Sequence, residues 1–290
     1  MKIGINGRKI KDASRSEVAV LLSELQNQQA EVFLSNSFYD LNQNDFDLVD
    51  MPIYADQLAI GELDCVFSIG GDGTLLETIT HIGGSGIPVL GINTGRLGFL
   101  ATTAKDEILD ALKNIQSGNY ALEPRSLIQM KTAESPFGQL NFALNEFAIL
   151  RKDTSSMITV KAYLDDEYLN TYWADGLMVS TPTGSTGYSL SCGGTILVPS
   201  SKNFIITPVS PHNLNIRPMV IPDTGTLKFQ VDSRDSNSLV SMDSRSGTLA
   251  QNAEIEITKA PFNVMLVRLP GASFIQTLRN KLGWGFDKRN

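Results

Sequence analysis

Short apolar runs and helical patterns alternate along the first part of the chain. Residues 3–5, 31–34, 65–69 and 87–92 read as buried strands, and residues 17–26 and 105–116 as helices, the second with Ile108, Leu109, Leu112 and Ile115 on one face. Alternation of this kind predicts a mainly parallel sheet that takes ligands at the C-terminal ends of its strands. From about residue 125 the texture changes to short strands punctuated by turns: 127–132, 142–150, 157–164, 168–172, 177–180, 204–209, 219–221, 227–231, 239–242, 255–258 and 264–269. An antiparallel β-sandwich is the natural solution for such a series. Residues 274–282 are helical again. The pattern therefore predicts α/β plus all-β: a Rossmann-like α/β domain over 1–122, a β-sandwich over 123–270 and a closing segment over 271–290.

Where the apolar run 65–69 ends, the sequence reads Gly70-Gly71-Asp72-Gly73-Thr74 and continues into the helical pattern of Leu75, Leu76 and Ile79. A glycine turn between strand and helix lets the backbone reach φ > 0 and approach a ligand closely, and the first turn of the helix offers N–H groups to an anion. Asp72 is anomalous in an anion cradle. It is either a turn and capping residue, or a carboxylate that holds a metal ion or takes a proton from an attacking group. A second cluster, Thr181-Pro182-Thr183-Gly184-Ser185-Thr186-Gly187-Tyr188-Ser189-Leu190-Ser191, follows the run from Asp175-Gly176 to Ser180. It is either a polar surface loop or a nucleoside-recognition loop, with hydroxyls as donors and acceptors and Tyr188 as a stacking surface. Asn145-Glu146, taken alone, reads as the solvent face of a strand.

Composition narrows the function classes. A net charge of −7 over 290 residues argues against a nucleic-acid partner, which demands a Lys/Arg surplus. Two cysteines, Cys65 and Cys192, and two histidines, His81 and His212, form no zinc spacing, and both cysteines read as small buried residues. No signal-peptide pattern and no apolar stretch of about 20 residues is present, so no membrane is expected and a cytoplasmic protein is.

Taken in order, Gly70 to Thr74, then Gly91-Ile92-Asn93-Thr94-Gly95-Arg96-Leu97-Gly98-Phe99-Leu100, Asn145-Glu146, Asp175-Gly176 and Thr181 to Ser189 resemble the NAD kinase family, and Lys281-Leu282-Gly283-Trp284 is similar to the ending of its bacterial members. The resemblance implies Mg²⁺-dependent phosphoryl transfer from ATP to the adenosine ribose 2′-hydroxyl of NAD, with the C-terminus returning to the first domain. It implies Asp72 as the general base. Gly70, Gly71, Gly73, Thr74 and Arg96 would face the donor phosphates. Asp72, Gly73, Asn145, Glu146, Asp175, Thr183, Thr186, Gly187, Tyr188 and Ser191 would bind NAD, with Asn145 and Glu146 orienting adenine and ribose and Asp175 and Ser191 toward the nicotinamide end. A cleft between the two domains would exclude water from the reaction. Mg²⁺ or another divalent cation is the implied cofactor, its ligands unassigned, and a homodimer or homotetramer the implied assembly. Gly187 stands where many members have Ala, and Arg245 where Gln is commoner. A lipid kinase of the diacylglycerol or sphingoid type shares the first motif, but would need an apolar acceptor site.

Overall fold

The computed structural model describes residues 1–54, 63–152, 157–232 and 237–285, and the chain forms two compact units, Met1–Pro124 with Val264–Asn290, and Arg125–Asn263. In the first unit β1 (Lys2–Gly7), β2 (Glu31–Ser35), β3 (Ile53–Tyr54), β4 (Cys65–Gly70) and β5 (Val89–Asn93) lie in the order β3-β2-β1-β4-β5. Every pair is parallel, and β6 (Thr103–Ala104) extends the set parallel to β5. The connections carry α1 (Arg15–Asn27), α2 (Asn36–Asn42), α3 (Asp72–Ile82) and α4 (Ile108–Ser117).

The central strands are buried almost without interruption, as strands covered on both faces must be. Val18, Leu21, Leu22 and Leu25 of α1 sit at i, i+3, i+4 and i+7 and share a core with Ile3, Ile5, Leu34, Phe67 and Ile92. Each such side chain contributes about 1.5–3 kcal/mol on leaving water. In α4 the buried face is Ile108, Ala111, Leu112 and Ile115, whereas Leu109 is 40% exposed, because one residue after Ile108 is a rotation of about 100° away from the stripe.

Strand order reverses at β1, with β2 on one side and β4 on the other. The loops leaving β1 and β4 therefore flank the crevice where open parallel sheets take ligands. Beneath that crevice Thr78 Oγ1 lies 2.8 Å from Asn6 Nδ2 and 2.9 Å from both Ser68 Oγ and the Thr74 carbonyl. This buried polar chain ties the first turns of α3 to β1 and β4.

The second unit is a sandwich. Its strands are β7 (Ala121–Lys131), β8 (Phe142–Ala143), β9 (Glu146–Leu150), β10 (Ile158–Leu164), β11 (Glu167–Ala174), β12 (Gly176–Ser180), β13 (Asn203–Val209), β14 (Met219–Pro222), β15 (Leu227–Asp232), β16 (Asn237–Met242), β17 (Arg245–Ala250) and β18 (Glu254–Arg268), with the short α5 (Tyr188–Ser191) after β12. One layer runs β11-β10-β15-β18, joined by β7, which also pairs with β8. The other runs β14-β13-β12-β9-β16-β17, antiparallel throughout. Phe147, Ile149, Leu177, Val179 and Phe204 from one layer meet Val160, Leu227, Phe229 and Ile257 from the other in a single core. From Val264 onward β18 belongs to the first unit, where Leu266 pairs in parallel with Val89, and α6 (Phe274–Leu282) of that same unit follows.

Two local readings change, and two elements are added. Residues 142–150 are not one strand: the chain breaks between β8 and β9, at Leu144-Asn145. Residues 255–258 and 264–269 are joined in one strand, β18, because Pro261 occupies an exposed position between them. Helix α2 and strand β17 carry too few apolar residues to stand out in the pattern. Residues 286–290 of the expected closing segment lie outside the described residues.

Replacing Thr78 by Val keeps the shape but leaves Asn6 Nδ2 and Ser68 Oγ without their shared partner. We expect a loss of about 1–3 kcal/mol in denaturant unfolding, against well under 1 kcal/mol if the chain were a surface decoration.

Candidate active site

β4 enters α3 through Gly70 and Gly71, and the helix begins at Asp72 with Gly71 as N-cap and no side-chain cap. A Cβ at Gly70 would stand 2.2 Å from Thr74 Oγ1, whereas Cβ atoms at Gly71 and Gly73 would meet open space. None of the three has a positive φ. The glycines thus serve close packing and an uncovered backbone, not the left-handed conformation expected of them. The N–H groups of Asp72 and Gly73 precede the first intrahelical acceptor and are available to an anion.

Asp72 does not cap the helix. Its Oδ2 accepts the Phe99 N–H at 2.8 Å, and its Oδ1 accepts those of Leu100 at 3.0 Å and Ala101 at 2.9 Å. Gly98 passes so close that a Cβ there would lie 1.8 Å from Asp72 Oδ1. The carboxylate therefore anchors the loop after β5. With about four lone-pair sites on a carboxylate, Oδ2 retains one for a further partner.

Arg96 lies on that same loop, exposed, where the Asn93 amide holds the turn by donating to the Arg96 carbonyl at 2.9 Å and accepting the Gly95 N–H at 2.7 Å. A cavity of about 220 Å³ is lined by Gly70, Gly71, Asn93 to Arg96 and, from the loop after β1, Arg8, Lys9 and Lys11. Arg8 faces Glu77 at 3.4 Å, and Lys9 is paired with Asp45. The sequence reading missed Arg8, Lys9 and Lys11. Their signal is two basic residues directly after the glycine that ends an apolar strand, and it gains meaning only once β1 is known to lie beside β4.

In the second unit Asn145 and Glu146 sit at the break between β8 and β9. Glu146 is 9% exposed, so the pair is not the solvent face of a strand. Asn145 Oδ1 and Glu146 Oε2 are buried and have no hydrogen-bond partner. Burial pushes the Glu146 carboxyl up to about 8, Asp243 adds to the rise, and a hydrogen bond from the Tyr188 backbone opposes it. Loop 181–187 lies directly on this pair. Thr181 N–H donates to the Asn145 carbonyl at 2.9 Å, a Cβ at Gly184 would stand 2.1 Å from that same oxygen, and one at Gly187 would stand 3.2 Å from Glu146 Oε2.

Most hydroxyls of this loop face inward. Thr181 donates to the Leu144 carbonyl at 2.5 Å, Ser185 to that of Pro182 at 2.7 Å, and Ser189 bonds Thr207 at 2.8 Å. Thr183 is buried, with Arg125 Nη1 at 3.5 Å from its hydroxyl. Thr186 and Gly187 are half-buried, while Tyr188 and Ser191 are exposed, so these four and the orphaned pair are what the loop offers to a ligand. The Tyr188 phenol is raised by burial, with Cys192, Asp175 and Glu146 adding to the rise. Asp175 is ion-paired to Arg151 at 3.1 Å. Cys192 is half-buried, not buried as its type suggested.

Comparison with known proteins bears on both units. Residues 10–120 match the ATP-NAD kinase N-terminal domain and residues 144–269 the ATP-NAD kinase C-terminal domain. Proteins named NAD kinase from Cytophaga hutchinsonii and Christiangramia forsetii are 48% and 47% identical, each over 100% of both chains. Among solved structures, yeast NADH kinase complexed with NADH superposes with a TM-score of 0.87 at 23% identity, covering 99% of this chain and 89% of that one. An NAD kinase from Archaeoglobus fulgidus in complex with ATP gives 0.73 at 24%, covering 98% and 99%. At these identities the two structures speak for the fold, and it is the expected α/β unit with a sheet-rich, antiparallel partner.

The raised Glu146 carboxyl has a stability consequence. Folded protein keeps a proton that the unfolded chain releases above pH 4.5, so stability is full below that pH and falls as pH rises toward about 8. The slope expected is up to about 1.4 kcal/mol per pH unit. Urea midpoints of wild type should drop across this window more steeply than those of Glu146→Gln, in which the buried Asp243 carboxyl, also raised by burial, remains; parallel curves would show that Glu146 titrates normally.

Proposed function

The chain belongs to the NAD kinase family, and on that premise we propose that it transfers the γ-phosphoryl group of ATP to the 2′-hydroxyl of the adenosine ribose of NAD, giving NADP. The observation that carries the acceptor side is the pair of buried, unpartnered oxygens on Asn145 and Glu146 under a loop that exposes Tyr188. Buried polar atoms are ordinarily satisfied, and a ribose and an adenine supply the missing donors. Burial favours the protonated form of the Glu146 carboxyl, which offers both a donor and an acceptor to such a ligand. A lipid acceptor would leave these oxygens unpaired, at about 1–3 kcal/mol each, which disfavours the lipid kinase reading. Thr186, Gly187 and Tyr188 extend the dinucleotide surface, and Asp175 and Ser191 its nicotinamide end. Thr183, buried against Arg125, contributes to the adenine side through its backbone.

Gly70, Gly71, Gly73 and Thr74 with Arg96 receive the donor phosphates, and Arg8, Lys9 and Lys11 add positive charge to the same crevice. The chain is acidic overall, so a polyphosphate is drawn to the cations gathered here, of which Arg8 and Lys9 share their charge with Glu77 and Asp45. Asp72 is the base: the remaining lone pair of Oδ2 takes the proton of the 2′-hydroxyl as the new phosphorus–oxygen bond forms. Positioning and charge neutralisation carry the rest of the rate. Among the described residues no cluster of three metal-binding side chains exists. Mg²⁺ would keep several of its waters and be held by the substrate phosphates with one or two carboxylates, and when bound would neutralise charge on the transferred group.

The protein works in the cytoplasm as a homodimer or homotetramer in this reading. Met219 and Val220 are exposed on β14, an edge strand, and Leu214 nearby in sequence is exposed as well. Edges of this kind are ordinarily covered. Light scattering at micromolar concentration should give a multiple of the chain mass; a fully active monomer would rule the assembly out.

An assay of NADP formation from ATP and NAD tests the activity itself. Asp72→Asn should lower kcat by about 10²–10⁴-fold while calorimetry still detects NAD binding. The anchor role adds a second effect, since an Asn amide turned toward three N–H donors loosens the loop at 99–101 and lowers Tm. A folded Asp72→Asn protein with near wild-type kcat would leave Asp72 an anchor only.

A further inference from the structure

The turn between β16 and β17, Asp243-Ser244, bonds to the break between β8 and β9 from both sides. Asp243 adopts a left-handed φ of 52°, uncommon for a residue with a side chain. That conformation lets its backbone N–H donate to the Glu146 carbonyl at 3.0 Å while its carboxylate accepts three successive N–H groups, those of Leu144 at 2.8 Å, Asn145 at 2.7 Å and Glu146 at 3.2 Å. Arg245, two residues on, donates from Nη1 to the Leu140 carbonyl and from Nη2 to that of Phe142, with its guanidinium 5.8 Å from the Phe137 ring centroid and 5.7 Å from that of Phe142. Asp243 thus satisfies the amides after the break, and Arg245 the carbonyls before it.

Thr181 satisfies the carbonyls of Leu144 and Asn145 at the break, and the amides there depend on Asp243. Residues 142–150 have the alternation of a single strand, and a strand running through would satisfy its amides by pairing. Main-chain groups taken out of the ladder must find other partners. The Asp243 carboxylate supplies them with charge-assisted bonds, which are about twice as strong as neutral ones. Leu144-Asn145 is thereby held out of line, and that arrangement leaves Asn145 Oδ1 and Glu146 Oε2 buried and unpartnered.

We propose that Asp243 and Arg245 are positioning residues that preset Asn145 and Glu146 for the adenosine ribose, so that they govern affinity for the dinucleotide and not the donor site or the transfer step. The inference rests on Asn145 and Glu146 being the acceptor site. It also assigns Arg245 a task that a Gln cannot fully perform, because a guanidinium fork spans two carbonyls and stacks on the two rings at once.

The test is steady-state kinetics with NAD and ATP varied separately, alongside thermal melting. Asp243→Asn puts an amide N–H₂ against N–H donors and should raise KM for NAD about 10- to 100-fold. Arg245→Gln should raise it less, with Arg245→Lys between Gln and wild type. In each, kcat at saturating NAD and KM for ATP should stay within about 3-fold of wild type. A change confined to kcat, or an equal rise in both KM values, would overturn the proposal. Should Asp243→Asn fail to fold, the Arg245 series decides: an unchanged KM for NAD in Arg245→Gln overturns it. Asn145→Ala separates the two layers of argument. If it leaves KM for NAD unchanged, the acceptor-site reading falls; if it raises KM while Asp243→Asn does not, only the positioning role falls.

Discussion

A carboxylate accepting three consecutive main-chain N–H groups recurs in both units, and the functional loops of each depend on it. Asp72 gathers the amides of Phe99, Leu100 and Ala101, and Asp243 those of Leu144, Asn145 and Glu146. The device answers one constraint. A loop that leaves helix or sheet beside a ligand site strands its own polar groups, and a buried N–H without a partner costs about 1–3 kcal/mol. One short side chain with two acceptor oxygens satisfies several such groups and fixes the backbone as it does so. Neighbouring residues then have to be small. Gly98 beside Asp72 is such a residue, since any Cβ there would overlap the carboxylate.

In the first unit the fold makes this anchoring useful. Reversal of strand order at β1 opens a crevice, the glycine turn after β4 leaves backbone uncovered there, and the loop pinned by Asp72 brings Arg96 to the same rim. Arg8, Lys9 and Lys11 arrive from β1. Parallel sheets place all these loops at one end because every strand points the same way.

In the second unit the hydroxyl-rich segment works differently from its appearance. Thr181, Ser185 and Ser189 fold the segment onto itself and onto Leu144 and Thr207, leaving Thr186, Gly187, Tyr188 and Ser191 toward solvent. Internal satisfaction of so many groups makes the contrast with Asn145 Oδ1 and Glu146 Oε2 informative. Ser180 Oγ, opposite Glu146 across the β9–β12 pairing, is likewise buried without a partner, so the unsatisfied side-chain atoms gather at this one place while the loop beside it satisfies itself.

Apolar periodicity by itself determined the fold class, since burial of side chains at spacings of two and of 3.6 is a local property that the chain displays directly. α6 falls on residues 274–282 as read, and the strand runs 31–34 and 65–69 lie within β2 and β4. The motifs around Gly70, Asn145 and Thr181 were equally visible, because the residue types are unusual where they stand. Only the tertiary structure decided what those residues do to one another. Asp72 reads as a turn or a cap until the loop 99–101 is seen to donate to it, and Asn145-Glu146 as part of a strand until Asp243, nearly a hundred residues on, holds its amides. Arg8, Lys9 and Lys11 mean nothing until β1 lies beside β4. Hydrogen-bond satisfaction and electrostatic focusing depend on which backbone groups meet in space, and that is set by long-range packing, which no local pattern records.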